Sequence, residues 1–284
     1  MSNLYPKRQA LLLDILTRSA NEAGSVVYAP PLMAKFSLPA RKLSTNEFER
    51  HNGSYKYSLV APSDIGLPYG LYPRTILIFL ATEVRITQSR FVDLGLSRAA
   101  FKKILGIGVG GGATGPSNRF NEQFRRLFTS SLKVIKETDS TFEVESINLA
   151  NKACAVWQPP VGIALAGMLE LENSFYEDLS IRSFPVDQRA LKYIGSYCLA
   201  YDLYLWLTFR VFNLKKPVLI QWLQLELQFG NKFSTRSAFK HKLKIALRSV
   251  NTFWPQLKIH INQRGLLLMP CSPHVAKAGR RACV

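Results

Sequence analysis

The stretch SRAAFKKILGIGVGGGATGPSNRFNEQFRRLF, Ser97–Phe128, decides the fold. Its Gly-rich centre is either a phosphate-binding loop or a turn. Read from Gly110, G-G-G-A-T-G-P-S has P-loop spacing. Pro116, however, stands where the phosphate-binding Lys must be, and it has no backbone N–H to offer. Gly106-Ile107-Gly108 as the start of a dinucleotide fingerprint is a lone match. The flanks decide. Ser97 can cap a helix over RAAFKKIL, and Gly106 suits the position just past a helix end because it adopts the left-handed backbone freely. Phosphate loops follow a strand. The Gly run is therefore expected to be a long turn between two helices, with no nucleotide hydrolysis.

Working outward, a helix is expected from near Ser117. Phe120, Phe124, Leu127 and Phe128 share one face, and Arg119, Glu122, Gln123 and Arg126 the other. A hairpin follows: LKVIK, a polar turn at Glu137–Thr141, then FEVESI. Upstream, Pro73 suits the first turn of a helix running from Arg74 to about Gln88, apolar at Ile76, Leu77, Leu80 and Val84. Three helices and a hairpin in this order make a winged helix. Before them, Pro6–Ala20 reads as an amphipathic helix, and Tyr55–Val60 alternates as a strand would.

The same order recurs downstream. A long helix is expected from Gln188 to about Phe212, then a second over VLIQWLQLELQF, opened by Lys215-Lys216-Pro217 and closed by Gly230. A third spans Thr235 to Trp254. The closing hairpin is LKIHI, a turn at Asn262–Gly265, then LLLM, with Leu257, Ile259 and Ile261 alternating with Lys258 and His260. The expected fold class is α+β, two tandem winged-helix domains with an N-terminal helix and short strands. The boundaries are 1–156 for the first domain, 157–173 for a linker, 174–270 for the second and 271–284 for a disordered basic tail.

Composition narrows the function. The 284 residues carry a net charge of +18, which points to a polyanionic partner. From Leu227 onward there are 58 residues with no Asp or Glu and 11 Lys and Arg, where an ordinary solvated face mixes both signs. In the third helix of the second domain, Phe239, Leu243, Ala246, Val250 and Phe253 fall on one side. Lys240, Lys244 and Arg248 fall on the other, with Ser237 and Asn251 among them. Such a helix suits a DNA major groove. Arg236 and Ser237, near its start, are the expected base readers; Lys244 and Arg248 are the expected phosphate contacts. Lys232 and Arg264, the latter in the hairpin turn, complete this set. In the first domain Arg119, Gln123 and Arg126 could do the same job, or, with Glu122 among them, contact protein instead.

Other classes find less support. Cys154, Cys198, Cys271 and Cys283 form no CxxC pair or zinc spacing and read as reduced thiols. Neither metal nor cofactor is expected. The run Tyr193–Phe212 holds Asp202 and Arg210, so burial in a folded domain is expected rather than a membrane span. Asp14 interrupts the apolar run behind Lys7 and Arg8, so no signal peptide is expected. Nicking enzymes that rejoin DNA need a His-apolar-His pair, and KIHIN supplies only His260. The chain is not expected to be an enzyme.

The segment AKFSLPARKLSTNEFERHNGSYKYSLVAPSDIGLPYGLYPRTILIFLATEVRITQSR, Ala34–Arg90, resembles the plasmid RepA-type replication initiator family. The matching parts are SLP at Ser37–Pro39, EFERHNG at Glu47–Gly53, GLPYG at Gly66–Gly70, and Pro73-Arg74 opening an apolar helix. The Gly-rich turn and FNEQFRRLF also resemble it. The likeness runs from about Lys35 to Leu132 and, more loosely in layout, to about Met269. It implies a bacterial cytoplasmic protein that binds repeated double-stranded sites at a plasmid origin. Such proteins help open adjacent AT-rich DNA and recruit the host replication initiator and replicative helicase. Related initiators act as monomers at the origin and as homodimers at their own promoter; no residue here decides between these states. A winged-helix repressor without an initiation role is the alternative, since it would share the same DNA face.

Overall fold

The computed structural model describes residues 4–94, 116–154, 167–230 and 235–276. The fold is mixed α and β with antiparallel sheets, and the chain forms two compact units: Met1–Ser37 together with Phe184–Val284, and Leu38–Ser183. The N-terminal segment thus belongs with the C-terminal half, which corrects the expected 1–156 domain. The cause is backbone pairing. Helix α1 (Leu4–Thr17) leads to strand β1 (Val26–Ala29) and the short α2 (Pro31–Lys35). Strand β1 pairs antiparallel with β9 (Phe184–Asp187), Val26 opposite Asp187 and Ala29 opposite Phe184. Charge reinforces the join. Arg189 donates to both Asp187 carboxylate oxygens, to the Asp14 carboxylate of α1 and to the Arg18 carbonyl, while the Ser25 hydroxyl donates to Asp187.

The inserted unit, Leu38–Ser183, is built on strands β2 (Glu47–Asn52) and β3 (Tyr55–Val60), helix α3 (Leu71–Thr87), strand β4 (Phe91–Asp93), helix α4 (Pro116–Thr129) and the hairpin β5 (Ser131–Glu137) and β6 (Phe142–Ile147). One sheet runs β2-β3-β5-β6. Its register sets Phe48, Leu59 and Leu132 side by side, and all three are buried. Period-two alternation puts such residues on one face, where burial stabilises each by roughly 1.5–3 kcal/mol. Helix α3 buries Ile76, Leu77, Leu80, Ala81 and Val84, as its spacing predicts. A second sheet orders β4 beside β8 (Met168–Leu171) beside β7 (Ala150–Cys154). The expected linker 157–173 therefore ends in a strand, followed by α5 (Asn173–Arg182), whose first amides are capped by the Glu172 carboxylate. The helix expected at Ser97 and the Gly-rich turn lie outside the described residues.

The rest of the discontinuous unit departs from the sequence reading in two places. The expected long helix is two: α6 (Gln188–Ile194) and α7 (Cys198–Asn213), separated where Gly195 takes φ +65°. Helix α7 is buried along Ala200–Thr208, Asp202 included, so it is a core helix; no described helix is long and apolar enough to cross a membrane. Val218–Gln221, read as helix, is strand β10, and α8 covers only Trp222–Phe229, opened by a Gln221–Gln224 capping box. Helix α9 (Arg236–Phe253) and the hairpin β11 (Ile259–Ile261) and β12 (Gly265–Leu268) follow. The sheet order β10-β12-β11 inserts the last strand between the other two. The described cysteines Cys154, Cys198 and Cys271 are free thiols.

Candidate nucleic-acid interface

Helix α9 is capped by Thr235, whose hydroxyl accepts from the Ala238 amide at 3.2 Å. Phe239, Leu243, Ala246, Leu247, Val250 and Phe253 are buried, which fixes the helix against the core. The opposite side presents Ser237, His241, Lys244, Arg248 and Asn251 to solvent, and Lys242 is exposed at the border of the apolar face. Lys242, Lys244 and Arg248 have no ion-pair partner among the described residues. Lys240 does not point free as expected. It is half-buried, with its Nζ 4.8 Å from the Trp222 ring centre in a cation–π contact. Arg236 is also engaged: its Nε donates to the Glu226 carboxylate at 2.8 Å.

Trp222 joins this helix to the hairpin. Its ring Nε1 donates to the Asn262 carbonyl at 3.1 Å and its amide to the Arg264 carbonyl at 3.3 Å. The Asn262 side chain accepts from the Arg264 and Gly265 amides at 2.8 and 3.0 Å, which closes the turn locally. Gly265 is required by space, since a Cβ there would lie 2.0 Å from the Ile220 carbonyl oxygen. Arg264 at the turn is exposed. Lys240, Trp222 and Asn262 thus form a continuous link from the helix to the hairpin turn, and cationic side chains stand at both ends. Lys232 lies outside the described residues.

The far end of α9 is braced by the chain after β12. The expected disorder of 271–284 is corrected for its first part. Val275 is buried, and the His274 ring packs against Tyr204, Phe253 and Trp254. The Tyr204 hydroxyl accepts from the Asp187 amide and donates to His274 Nδ1 at 2.8 Å. Burial raises the Tyr204 phenol pKa, keeping the proton it donates. Burial also pushes the His274 imidazole down to about 4, against opposing pulls from Asp187 and a hydrogen bond to the Phe253 backbone. Residues 277–284 lie outside the described residues.

Helix α4 of the inserted unit is organised differently. Phe120, Phe124 and Leu127 are buried as expected. Gln123 and Arg126, expected outward beside Arg119, are buried too, at 2% and 8% exposure. The loop before α3 lies on them. Gln123 Oε1 accepts from the Tyr69 amide at 2.7 Å, and Arg126 Nη1 donates to the Leu67 carbonyl at 3.1 Å. The Arg126 guanidinium also pairs with Glu122 at 2.8 Å and lies 5.5 Å from the Tyr69 ring centre. Gly66, at φ +78°, leaves room for it; a Cβ would sit 2.7 Å from Arg126 Nη1. Arg74 holds the same region, donating to the Leu38, Pro39 and Gly70 carbonyls. Of the three expected DNA contacts on α4 only Arg119 is exposed, joined by Arg125, 3.9 Å from Asp64. Sequence reasoning missed Glu226, Trp222 and His274. A signal existed only for Glu226, the last acidic residue in the chain.

Two solved structures share the fold. "Crystal structure of the RctB domains 2-3, RctB-155-483" matches with a TM-score of 0.53 at 14% identity, covering 84% of this chain and 96% of that one. "Crystal structure of SeMet derivatives of domain2 and domain 3 of RctB" matches with a TM-score of 0.55 at 12% identity, covering 87% and 97%. No curated protein matches in sequence. The family described as "Plasmid encoded RepA protein", RepA_C, matches residues 67–223. That match starts in the loop seated on α4 and ends inside α8, before α9. It spans more than half of the 284 residues, and the chain belongs to the plasmid-encoded RepA protein family.

Proposed function

We propose that the chain is a plasmid replication initiator that binds repeated double-stranded origin sites through a winged helix formed by α7, β10, α8, α9 and the β11–β12 hairpin. In this reading α9 is the recognition helix. With its side chains it is about 10–12 Å across, which matches a B-DNA major groove about 12 Å wide. Arg236 and Ser237 face base edges, Lys244 and Arg248 face phosphates, and Arg264 meets the backbone or minor groove beside the hairpin. The observation that carries the reading is the exposed Lys242, Lys244 and Arg248 set on a helix whose apolar face is fully used, in a span with no acid after Glu226. The inserted unit is a second winged helix in the same reading, with α3, α4 and the β5–β6 hairpin. It contributes Arg119 rather than base readout by Gln123 or Arg126.

Family membership supports the initiator role. Origin opening and docking of the host initiator and replicative helicase, in the bacterial cytoplasm, are part of the proposal, and the role is binding without catalysis. Footprinting on the DNA flanking the coding sequence tests it. Protection of several direct repeats is expected. A single protected inverted repeat over a promoter would favour a repressor, and no protection would remove the DNA-binding reading.

A further inference from the structure

Glu226 stands at the edge of the cationic face. It is the last acidic residue of the chain, and its carboxylate holds Arg236 Nε at 2.8 Å. Both partners are set by the backbone. Arg236 is the first residue of α9, directly after the Thr235 cap. Glu226 lies in the last turn of α8, where its carbonyl accepts from the Gly230 amide at 2.7 Å; a Cβ on Gly230 would come within 2.3 Å of that oxygen. The end of α8 is therefore closed tightly by Gly230 against the Glu226 backbone. Arg236 is still 57% exposed, and its two Nη groups have no partner among the described residues. A guanidinium is a planar fork. Held at Nε, it keeps the paired Nη donors that match guanine O6 and N7 end-on.

We propose that Glu226 is a specificity-determining residue that holds the Arg236 fork ready to read a guanine; this rests on the DNA-binding reading above. A carboxylate in this place acts twice. It pre-organises the arginine, so less freedom is lost when the base contact forms. It also penalises complexes in which Arg236 swings to a phosphate, because Glu226 would then be left unpaired beside a polyanion. Removing the charge costs discrimination at one base pair and leaves overall retention of DNA intact or raised.

The test is selection from a pool of fully randomised duplexes by the full-length chain, as wild type, Glu226→Gln, Arg236→Gln and the double variant. Bound DNA is sequenced, and total retention is measured alongside. Wild type is expected to enrich a motif containing guanine at one position that Arg236→Gln loses. Glu226→Gln is expected to weaken the preference there by about tenfold and leave the other positions unchanged. The double variant should match Arg236→Gln alone. An unaltered motif in Glu226→Gln overturns the proposal. So does loss at every position, or an effect of Glu226→Gln that persists without Arg236. If wild type enriches no motif, sequence-specific binding itself fails and the proposal falls with it; a motif untouched by either variant sinks the proposal alone.

Discussion

Helices α4 and α9 occupy the same place in their units, each followed by a hairpin, and each has an apolar stripe opposite a polar one. Their polar stripes meet opposite fates. On α4 the loop carrying Gly66 to Gly70 lies across it, and Gln123 and Arg126 satisfy that loop's backbone. On α9 nothing described covers Lys242, Lys244 or Arg248, and the bracing comes at the end, from His274 and Val275. A buried hydrogen bond to a charged group contributes roughly 1.5–3 kcal/mol to stability, whereas an exposed lysine contributes little until a polyanion arrives. Similar residue types on similar helices therefore do different work: one set holds a fold together, and the other is available to a ligand. Helical periodicity cannot tell these apart, because it reports which residues share a face and not what lies on that face.

The largest expected effect breaks the comparison if it fails. Arg126→Ala removes the donor to the Leu67 carbonyl and the partner of Glu122, and empties the space that Gly66 leaves. The inserted unit should lose about 2–4 kcal/mol, measured by urea unfolding of the whole chain. DNA affinity of the folded fraction should stay within about twofold of wild type. A variant of full stability with weakened DNA binding would mean that Arg126 leaves the loop to meet DNA, and the contrast with α9 would collapse.

What the sequence made legible follows from the same physics. Local patterns worked wherever burial is set by neighbours a few residues away. The strand at Tyr55–Val60, the hairpins on either side of Glu137–Thr141 and Asn262–Gly265, and the apolar face of α9 all lie where spacing and turn residues put them. Failures came where distant segments decide. Val218–Gln221 reads as the start of a helix, yet its pairing with Gly265–Leu268 makes it a strand. Val26–Ala29 cannot announce a partner at Phe184–Asp187, so sequence order alone places the N-terminus with the wrong unit. On the candidate site, acid-free composition points to α9, but the Glu226–Arg236 pair and the Lys240–Trp222 contact join residues ten and eighteen positions apart and leave no local pattern.

The braces also differ in how they answer to pH. The loop on α4 is held by an arginine and backbone carbonyls, whereas the brace on α9 contains a histidine. His274 titrates at about 4 when folded, because burial disfavours its charge, and near 6.5 when unfolded. Between those values the unfolded chain binds more protons, so stability is full above about pH 6.5 and falls as pH drops through 4. The loss from this group approaches about 3 kcal/mol at the acid end. His274→Asn should flatten that part of the stability-versus-pH curve for the discontinuous unit, followed by the fluorescence of the buried Trp254. A curve with the same slope in both proteins would show that His274 is not what titrates.

The smallest expected effect is the sharpest for the proposed DNA face. Lys244 is exposed, has no ion-pair partner among the described residues, and sits a full turn beyond the Lys240 that leans on Trp222. Lys244→Ala should leave the thermal midpoint within about 2 °C, since surface substitutions away from caps and pairs are nearly neutral. Its effect should appear only against DNA and only through salt. A phosphate contact releases a condensed counterion, so the slope of log affinity against log salt should fall by about 0.9 for each contact removed. The loss should be equal on repeat and random duplex, because a phosphate carries no sequence information. Lys240→Ala offers the complement. Its ammonium is committed to the Trp222 ring beside the hairpin turn, so its loss should disturb the turn and specific binding more than the salt slope. If Lys244→Ala instead weakens the repeat alone, it reads a base. The deep end of α9 would then lie nearer its middle than its start, and Arg236 would move from the groove floor to its rim.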